Sequence, residues 1–154
     1  MIRFITDGML GRLARWLRIL GYDTVFQPDR SKEELSLLAA CENRVFLTRD
    51  RNFTERTWPF QTVYIFSEDP KKQLEQVVSN FNLDCVSYRF LLCSVCNVPV
   101  KPVEKKRIIE KVPSGVLERE SIFWKCPACG RIYWKGGHWK RIEKWLSGLG
   151  LSSH

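Results

Sequence analysis

The chain has 154 residues, enough for one ordinary domain and a small second one. Its apolar share of 44% is that of a globular protein, and its net charge of +8 favours a polyanionic partner, nucleic acid first of all. No long apolar run supports a membrane partner. Met1 begins directly on the first predicted strand with no visible signal peptide, so we expect a cytoplasmic protein whose cysteines are free or metal-bound.

The N-terminal stretch predicts a strand, a turn and a helix that carries arginines. The strand, within residues 2–5, ends on Asp7. In the helix that follows, leucines recur on one face, whereas Arg12, Arg15 and Arg18 fall on the other. An acid therefore lies at the carboxyl end of a strand, and the helix that carries the three arginines begins at the same place. Open α/β sheets bind their ligands at this edge. The alternative is that Asp7 caps the helix and the arginines form a solvated face.

Short apolar strands alternate with helical patterns as far as residue 81. The further strands lie within 23–26, 44–48 and 62–66, and helices begin near Ser31 and Pro70. This alternation predicts an α/β fold, a parallel sheet with helices on both faces and right-handed crossovers.

Acids stand at the end of each predicted strand. They are Asp7, Asp50 and Asp69 after the first, third and fourth strands, and Asp29, Glu33 and Glu34 near the exit of the second. Carboxylates gathered at one edge repel one another unless a hard cation neutralises them. Mg²⁺ or Mn²⁺ fits this pattern and would activate a water against a phosphate. If the first and third strands are neighbours, Asp7 and Asp50 share this ion; the alternative is helix capping, which we expect for Asp69.

Two C-x2-C pairs, separated by a β-rich stretch, predict a structural zinc site. The pairs are Cys93 with Cys96 and Cys126 with Cys129. Four thiolates at this spacing are typical of a closed tetrahedral zinc site. We therefore expect two domains, a catalytic one over residues 1–88 and a zinc ribbon with a basic C-terminal helix over 89–154.

The residues around the second pair have two interpretations. Trp124, Tyr133 and Trp134 either form the core of a small ribbon or offer a surface on which bases stack. We expect mostly a core, with one or two rings left exposed. Lys135 would then contact phosphates, and His138 either contacts RNA or has a structural role.

Three motifs resemble one known family. Residues 4–23 closely resemble the opening of the PIN-like ribonuclease family named for the C-terminal region of the mutator-seven exonuclease. Residues 47–50 look like its second hallmark, and the cysteine pairs with residues 133–139 are similar to its zinc-ribbon end. The resemblance covers nearly the whole chain. It implies a PIN-like, metal-dependent nuclease domain fused to a zinc ribbon, with the family's acids on Asp7 and Asp50.

One position departs from that family's pattern. Where the family has an acid just before the second helix, this sequence has Lys32, and Asp29, Glu33 or Glu34 is the candidate replacement. The first hypothesis is a metal-dependent endoribonuclease, and the expected partner is single-stranded or structured noncoding RNA. The alternative is a nonenzymatic RNA-binding or ribosome-associated module, which Lys32 favours. The candidate RNA-binding residues are Arg12, Arg15, Arg18, Arg49, Trp134, Lys135 and His138.

Overall fold

The structure, a computed structural model, describes residues 1–85, 92–137, 140, 141 and 144. The domain boundary predicted near residue 88, His138 and most of the predicted closing helix over 139–146 lie outside the described residues. Within the described residues, no helix combines the length and apolar character that a membrane span requires.

Four short parallel strands form the N-terminal sheet. They are β1 (Phe4–Thr6), β2 (Thr24–Phe26), β3 (Val45–Thr48) and β4 (Thr62–Tyr64). Their order is β2-β1-β3-β4, and Ile5 of β1 pairs with Val25 on one side and Phe46 on the other. The predicted parallel sheet is confirmed. The chain moves from β1 outward to β2 on one side and then, through β3, outward to β4 on the other side. The carboxyl ends of β1 and β3 therefore lie at a topological switch point of the sheet.

Helices cover both faces of the sheet. They are α1 (Gly11–Ile19), α2 (Lys32–Glu42), α3 (Arg51–Thr54) and α4 (Pro70–Phe81). Buried side chains alternate along the strands: Phe4 and Leu47 pack with α1 and α4, whereas Ile5 and Phe46 pack with α2 and α3. Both faces are thus removed from water, as a parallel sheet requires.

The C-terminal part forms a second, antiparallel sheet. Its strands are β5 (Lys101–Val103), β6 (Phe123–Lys125) and β7 (Ile132–Tyr133), in that order. A 3₁₀ turn (Lys105–Arg107) and α5 (Ser114–Arg119) occupy the stretch between β5 and β6. This part has its own small core of Ile108, Val112 and Phe123. We call it, with the cysteine pairs, the ribbon.

Arg18 joins the ribbon to the sheet. Arg18 is buried, with only 6% of its surface exposed to solvent. Its Nε donates to the carbonyl of Thr24 at 2.9 Å, and its Nη1 donates to the carbonyls of Ser94 at 2.8 Å and Val95 at 3.3 Å. The expectation that Arg18 lies on an exposed arginine face is therefore wrong. Each three-residue step falls about 60° short of a full helical turn, so the last of the three arginines reaches the flank that the ribbon covers.

A second polar cluster holds the ribbon against β2. Asn97 Nδ2 donates to Asp23 Oδ1 at 2.7 Å, and the Asn97 side-chain oxygen accepts from the backbone N–H of Thr24 at 3.1 Å. The buried guanidinium of Arg44 donates to the same carboxylate oxygen at 2.9 Å. The first cysteine pair is thus fixed relative to the sheet by side chains from both parts.

We expect Arg18→Met to lower the free energy of unfolding by about 3 kcal/mol, because it leaves the carbonyl of Thr24, in a buried hydrogen bond, and those of Ser94 and Val95, in part-buried ones, without this donor. Urea unfolding followed by tryptophan fluorescence measures this loss. The matched control is Arg15→Met on the exposed face of the same helix, with an expected change within about 0.5 kcal/mol. Equal losses in the two variants would contradict the role assigned to Arg18.

Candidate functional site

Asp7 is a buried carboxylate at the switch point. It is 3% exposed. Its Oδ2 accepts from Thr48 Oγ1 at 2.6 Å and from the backbone N–H of Arg49 at 3.0 Å, and its Oδ1 accepts from the N–H of Met9 at 2.9 Å. The N-cap position of α1 is Leu10, without a side-chain cap bond. Asp7 therefore binds the exits of β1 and β3 together rather than capping the helix.

Asp50 lies on the other side of the same threonine hydroxyl. Its backbone N–H donates to Thr48 Oγ1 at 2.9 Å. Its Oδ1 accepts from the N–H of Phe53 at 3.3 Å and so caps α3, while its Oδ2 accepts from Lys32 Nζ at 2.5 Å. The hydrogen bond from Lys32 is the main cause that lowers the pKa of Asp50 below its ordinary value. Asp50 is therefore an ion-paired carboxylate whose side chain remains 39% exposed.

Asp50 and Lys32 line a cavity of about 540 Å³, which we call the Asp50 cavity. Its wall is aromatic, because the ring of Trp58 stacks between those of Phe53 and Phe60 at centroid distances of 4.6 and 5.4 Å. This volume lies in the range of small-molecule and cofactor sites. Sequence reasoning missed both this wall and the partner of Asp50, because their members come from separate parts of the chain.

The other predicted acids are scattered. Glu33 lines the Asp50 cavity, whereas Asp29 is exposed in the loop before α2. Glu34 pairs with an exposed arginine at 3.6 Å. Asp69 caps α4, as expected, by accepting from a backbone N–H of its first turn at 3.0 Å.

In this arrangement the edge does not fit the predicted Mg²⁺ or Mn²⁺ ion. Within the described residues, only the four cysteines bring three or more ligating groups within reach of one ion. Both oxygens of Asp7 accept hydrogen bonds, and the ammonium of Lys32 holds the position on Asp50 that a divalent ion would take. Magnesium is commonly bound by one or two carboxylates with waters, so an ion here would first require Lys32 to turn away.

The two cysteine pairs share one geometry. In each, the N–H of the second cysteine donates to the first Sγ at 3.4 Å, and the residue that follows, Asn97 or Gly130, has a positive φ of 59° or 80°. The Sγ atoms of Cys93 and Cys129 are 3.7 Å apart. Tetrahedral zinc with bonds of about 2.3 Å would place its sulfurs about 3.8 Å apart. All four sulfurs, of Cys93, Cys96, Cys126 and Cys129, lie within 4.8 Å of one another, so the cluster can hold a metal ion such as zinc.

The pKa values of the clustered thiols differ from one another. Burial raises the pKa of Cys93, but the hydrogen bond from Tyr133 Oη at 3.1 Å and backbone bonds outweigh it and lower that pKa to about 6. Hydrogen bonding with Cys129 raises the pKa of Cys96 to about 12. Four such close thiols do not all ionise by themselves, whereas a cation at their centre stabilises four thiolates.

Four of the predicted RNA-binding residues line one groove of about 420 Å³ between α1 and the ribbon, which we call the ribbon groove. They are Arg12, Arg15, Trp134 and Lys135. Arg49 differs from the prediction: its Nη1 donates to the carbonyl of Ile65 at 2.8 Å, and its side chain is only 17% exposed. Arg49 therefore links β3 to the exit of β4.

A family model described as the Mut7-C RNAse domain matches residues 2–146. The match runs from before β1 to beyond β7, so it includes the strand exits and all four cysteines. No curated protein and no solved structure matches the chain.

The purified protein should carry about one zinc ion per chain, measured by elemental analysis. Cys126→Ser should lose that zinc and unfold mainly the ribbon, because metal binding there contributes folding free energy. Cys41→Ser, on α2 and outside the cluster, should retain it. Wild-type protein prepared without chelator and found free of metal would contradict this assignment.

Lys32→Met should raise the pKa of Asp50 toward its ordinary value of about 4, since the main cause that lowers it is removed. A depressed folded-state pKa stabilises the protein above the unfolded-state pKa, and that contribution is lost as the pH falls through the folded pKa. The wild type should therefore lose more stability below about pH 4 than Lys32→Met. Carboxyl NMR titration measures the pKa, with Lys72→Met as control; an unchanged Asp50 pKa in Lys32→Met would refute the ion pair.

Proposed function

Since the chain belongs to the Mut7-C RNAse domain family, we propose that it is an endonucleolytic ribonuclease that hydrolyses RNA phosphodiester bonds at the Asp50 cavity. The observation that carries the proposal is the pairing of Asp50 with Lys32, both part-exposed in a cavity between α2 and the segment that follows β3. Asp50 enters this cavity from the exit of β3, the neighbour of β1 at the switch point of the sheet. Ligands of open α/β sheets bind at this edge.

The two charged groups have complementary roles in this proposal. Asp50 accepts a hydrogen bond from the attacking water and orients it toward phosphorus. As the water oxygen bonds to phosphorus, the bond from phosphorus to the leaving ribose oxygen breaks; the water's proton passes to solvent, from which the ribose oxygen takes one. Since its pKa is lowered, we assign Asp50 mainly this orienting role rather than that of a strong base. The ammonium of Lys32, beside it, stabilises the negative charge that develops on the phosphoryl oxygens. Asp7 does not touch substrate; it positions Asp50 through Thr48.

The surface charge supports RNA as the substrate. The chain carries 25 lysines and arginines against 17 acids, and Arg12 and Arg15 stand exposed beside the edge. Contacts of this kind bind phosphates without reading sequence and weaken steeply as salt is raised.

The metal-dependent version of this proposal, which the sequence predicts, competes with the version above. It requires Mg²⁺ or Mn²⁺ to displace Lys32 from Asp50, because the ammonium and the ion would occupy one position. We therefore propose Lys32 as the resident cation. Cleavage by the wild type should then proceed in buffer without divalent ions and should fall in Lys32→Met. Cleavage that appears only with Mn²⁺ and survives in Lys32→Met would establish the metal-dependent version instead.

A nonenzymatic RNA-binding module is the second candidate function. The observation that favours it is that, among the described residues, only the four cysteines bring three or more metal-ligating groups together, so the acids at the sheet edge form no such cluster. This candidate keeps the basic surface and the ribbon, and it predicts RNA binding without turnover.

Asp50→Asn should reduce cleavage of a circular single-stranded RNA by about 10²–10⁴-fold, because the carboxylate that orients the water is lost. A circular substrate has no ends, so its opening identifies an endonuclease. RNA affinity and melting temperature should change little, since Asn also caps helices. These three quantities are measured in parallel.

The matched control is Asp69→Asn, because Asp69 also follows a strand and caps a helix but lies outside the Asp50 cavity. It should cleave as the wild type does. Equal cleavage by the wild type and Asp50→Asn would remove Asp50 from the reaction, and no cleavage by any of the three proteins, with RNA still bound, would favour the nonenzymatic module.

A further inference from the structure

The ribbon groove has flat aromatic walls. The side chains of Trp16, Tyr133 and Trp134 line it, together with the apolar side chains of Ile19 and Leu92. Its volume of about 420 Å³ is that of a site for one small ligand rather than for a helix or a duplex. Such a lining suits an aromatic ring system that enters edgewise and stacks.

Two of these rings are held in place before any ligand binds. Tyr133 Oη contacts Cys93 Sγ at 3.1 Å and accepts from the N–H of Ser94 at 3.0 Å, so the phenol is anchored to the first cysteine pair. The indole of Trp134 packs against the ribbon core, with its ring centroid 6.1 Å from that of Phe123. Because the rings are already ordered, a stacked ligand loses little free energy to ordering them.

The rim of the ribbon groove is positively charged. Arg12 and Arg15, one turn apart on α1, are exposed, and within the described part of the chain neither guanidinium makes a hydrogen bond or an ion pair. Both also line a second depression of about 430 Å³, which includes Met9 and Glu68 at the carboxyl edge of the sheet. The two arginines thus stand between the ribbon groove and the edge that carries Asp7.

We infer that the ribbon groove binds one unpaired base of a single-stranded RNA, while Arg12 and Arg15 hold the phosphates that lead from this base toward the sheet edge. This inference rests on the proposed function for its choice of RNA. A duplex keeps its bases paired and stacked inside, so only a single strand, loop or bulge can place a base among Trp16, Tyr133 and Trp134. The ribbon groove would therefore make this protein select unpaired RNA without reading a long sequence.

The test measures binding, and it is made in Asp50→Asn protein so that the RNA stays intact. The probes are a labelled short oligouridylate, its duplex with oligoadenylate, and uridine monophosphate as a competitor. Trp134→Leu removes the indole, and the pair Arg12→Ala with Arg15→Ala removes the rim charges. The charge-matched control is Arg107→Ala with Arg119→Ala, two exposed ribbon arginines away from the groove.

Trp134→Leu should weaken binding of the single strand about tenfold or more, and Trp134→Phe should weaken it less. The arginine pair should lower the slope of log K against log salt by about 0.7 per lost phosphate contact, and the control pair should leave it nearly unchanged. Zinc content and melting temperature show whether each variant is folded. If Trp134→Leu is not folded, the affinities of Trp134→Phe and of the arginine pair still test the inference.

Several results would overturn the inference. Equal losses in the groove and control arginine pairs would mean diffuse attraction rather than a site, and equal affinity for duplex and single strand would remove the selection of unpaired bases. Competition by uridine monophosphate as effective as that of the oligonucleotide would mean a free-nucleotide site. Unchanged affinity in all groove variants would mean that the ribbon groove does not bind RNA. A gel of the RNA recovered after each titration checks that it is intact, so the binding results are judged separately from the proposed function.

Discussion

The hydroxyl group of Thr48 is the interaction on which the candidate site depends. It donates to the buried carboxylate of Asp7 at 2.6 Å and accepts from the backbone N–H of Asp50 at 2.9 Å. A buried carboxylate is costly unless donors surround it, and here three donors do so. The exits of β1 and β3 are therefore held together, and Asp50 leaves this junction toward the Asp50 cavity and Lys32.

Three faces of helix α1 make different contacts. Its leucine face packs on the sheet, and Arg18 donates to ribbon carbonyls. The remaining exposed face carries Arg12 and Arg15 between the ribbon groove and the sheet edge. Because the ribbon is fixed to the same helix that borders the sheet edge, a metal ion held by the four cysteines would stabilise the ribbon groove as well as the ribbon's own fold.

The four parallel strands, the three longer helices and the cysteine cluster could be predicted from the sequence, because hydrophobic periodicity and C-x2-C spacing are local signals. Three particulars could not. The burial of Arg18 depends on which flank the ribbon covers, and the ion pair of Lys32 with Asp50 joins residues eighteen positions apart. The short helix α5 was missed because its few residues show no clear period. The sequence showed that Lys32 departs from the family's pattern, but it did not show that Lys32 pairs with Asp50.

Photo-crosslinking of a bound single-stranded RNA that carries 4-thiouridine, followed by mass spectrometry, tests the central claim most directly. The account predicts crosslinks from one strand to both places, with one nucleotide on Tyr133 or Trp134 in the ribbon groove and another, a few positions away, at Met9 or in the Asp50 cavity. Crosslinks confined to the exposed basic stretch around Lys105 and Arg107, with none at either place, would contradict it.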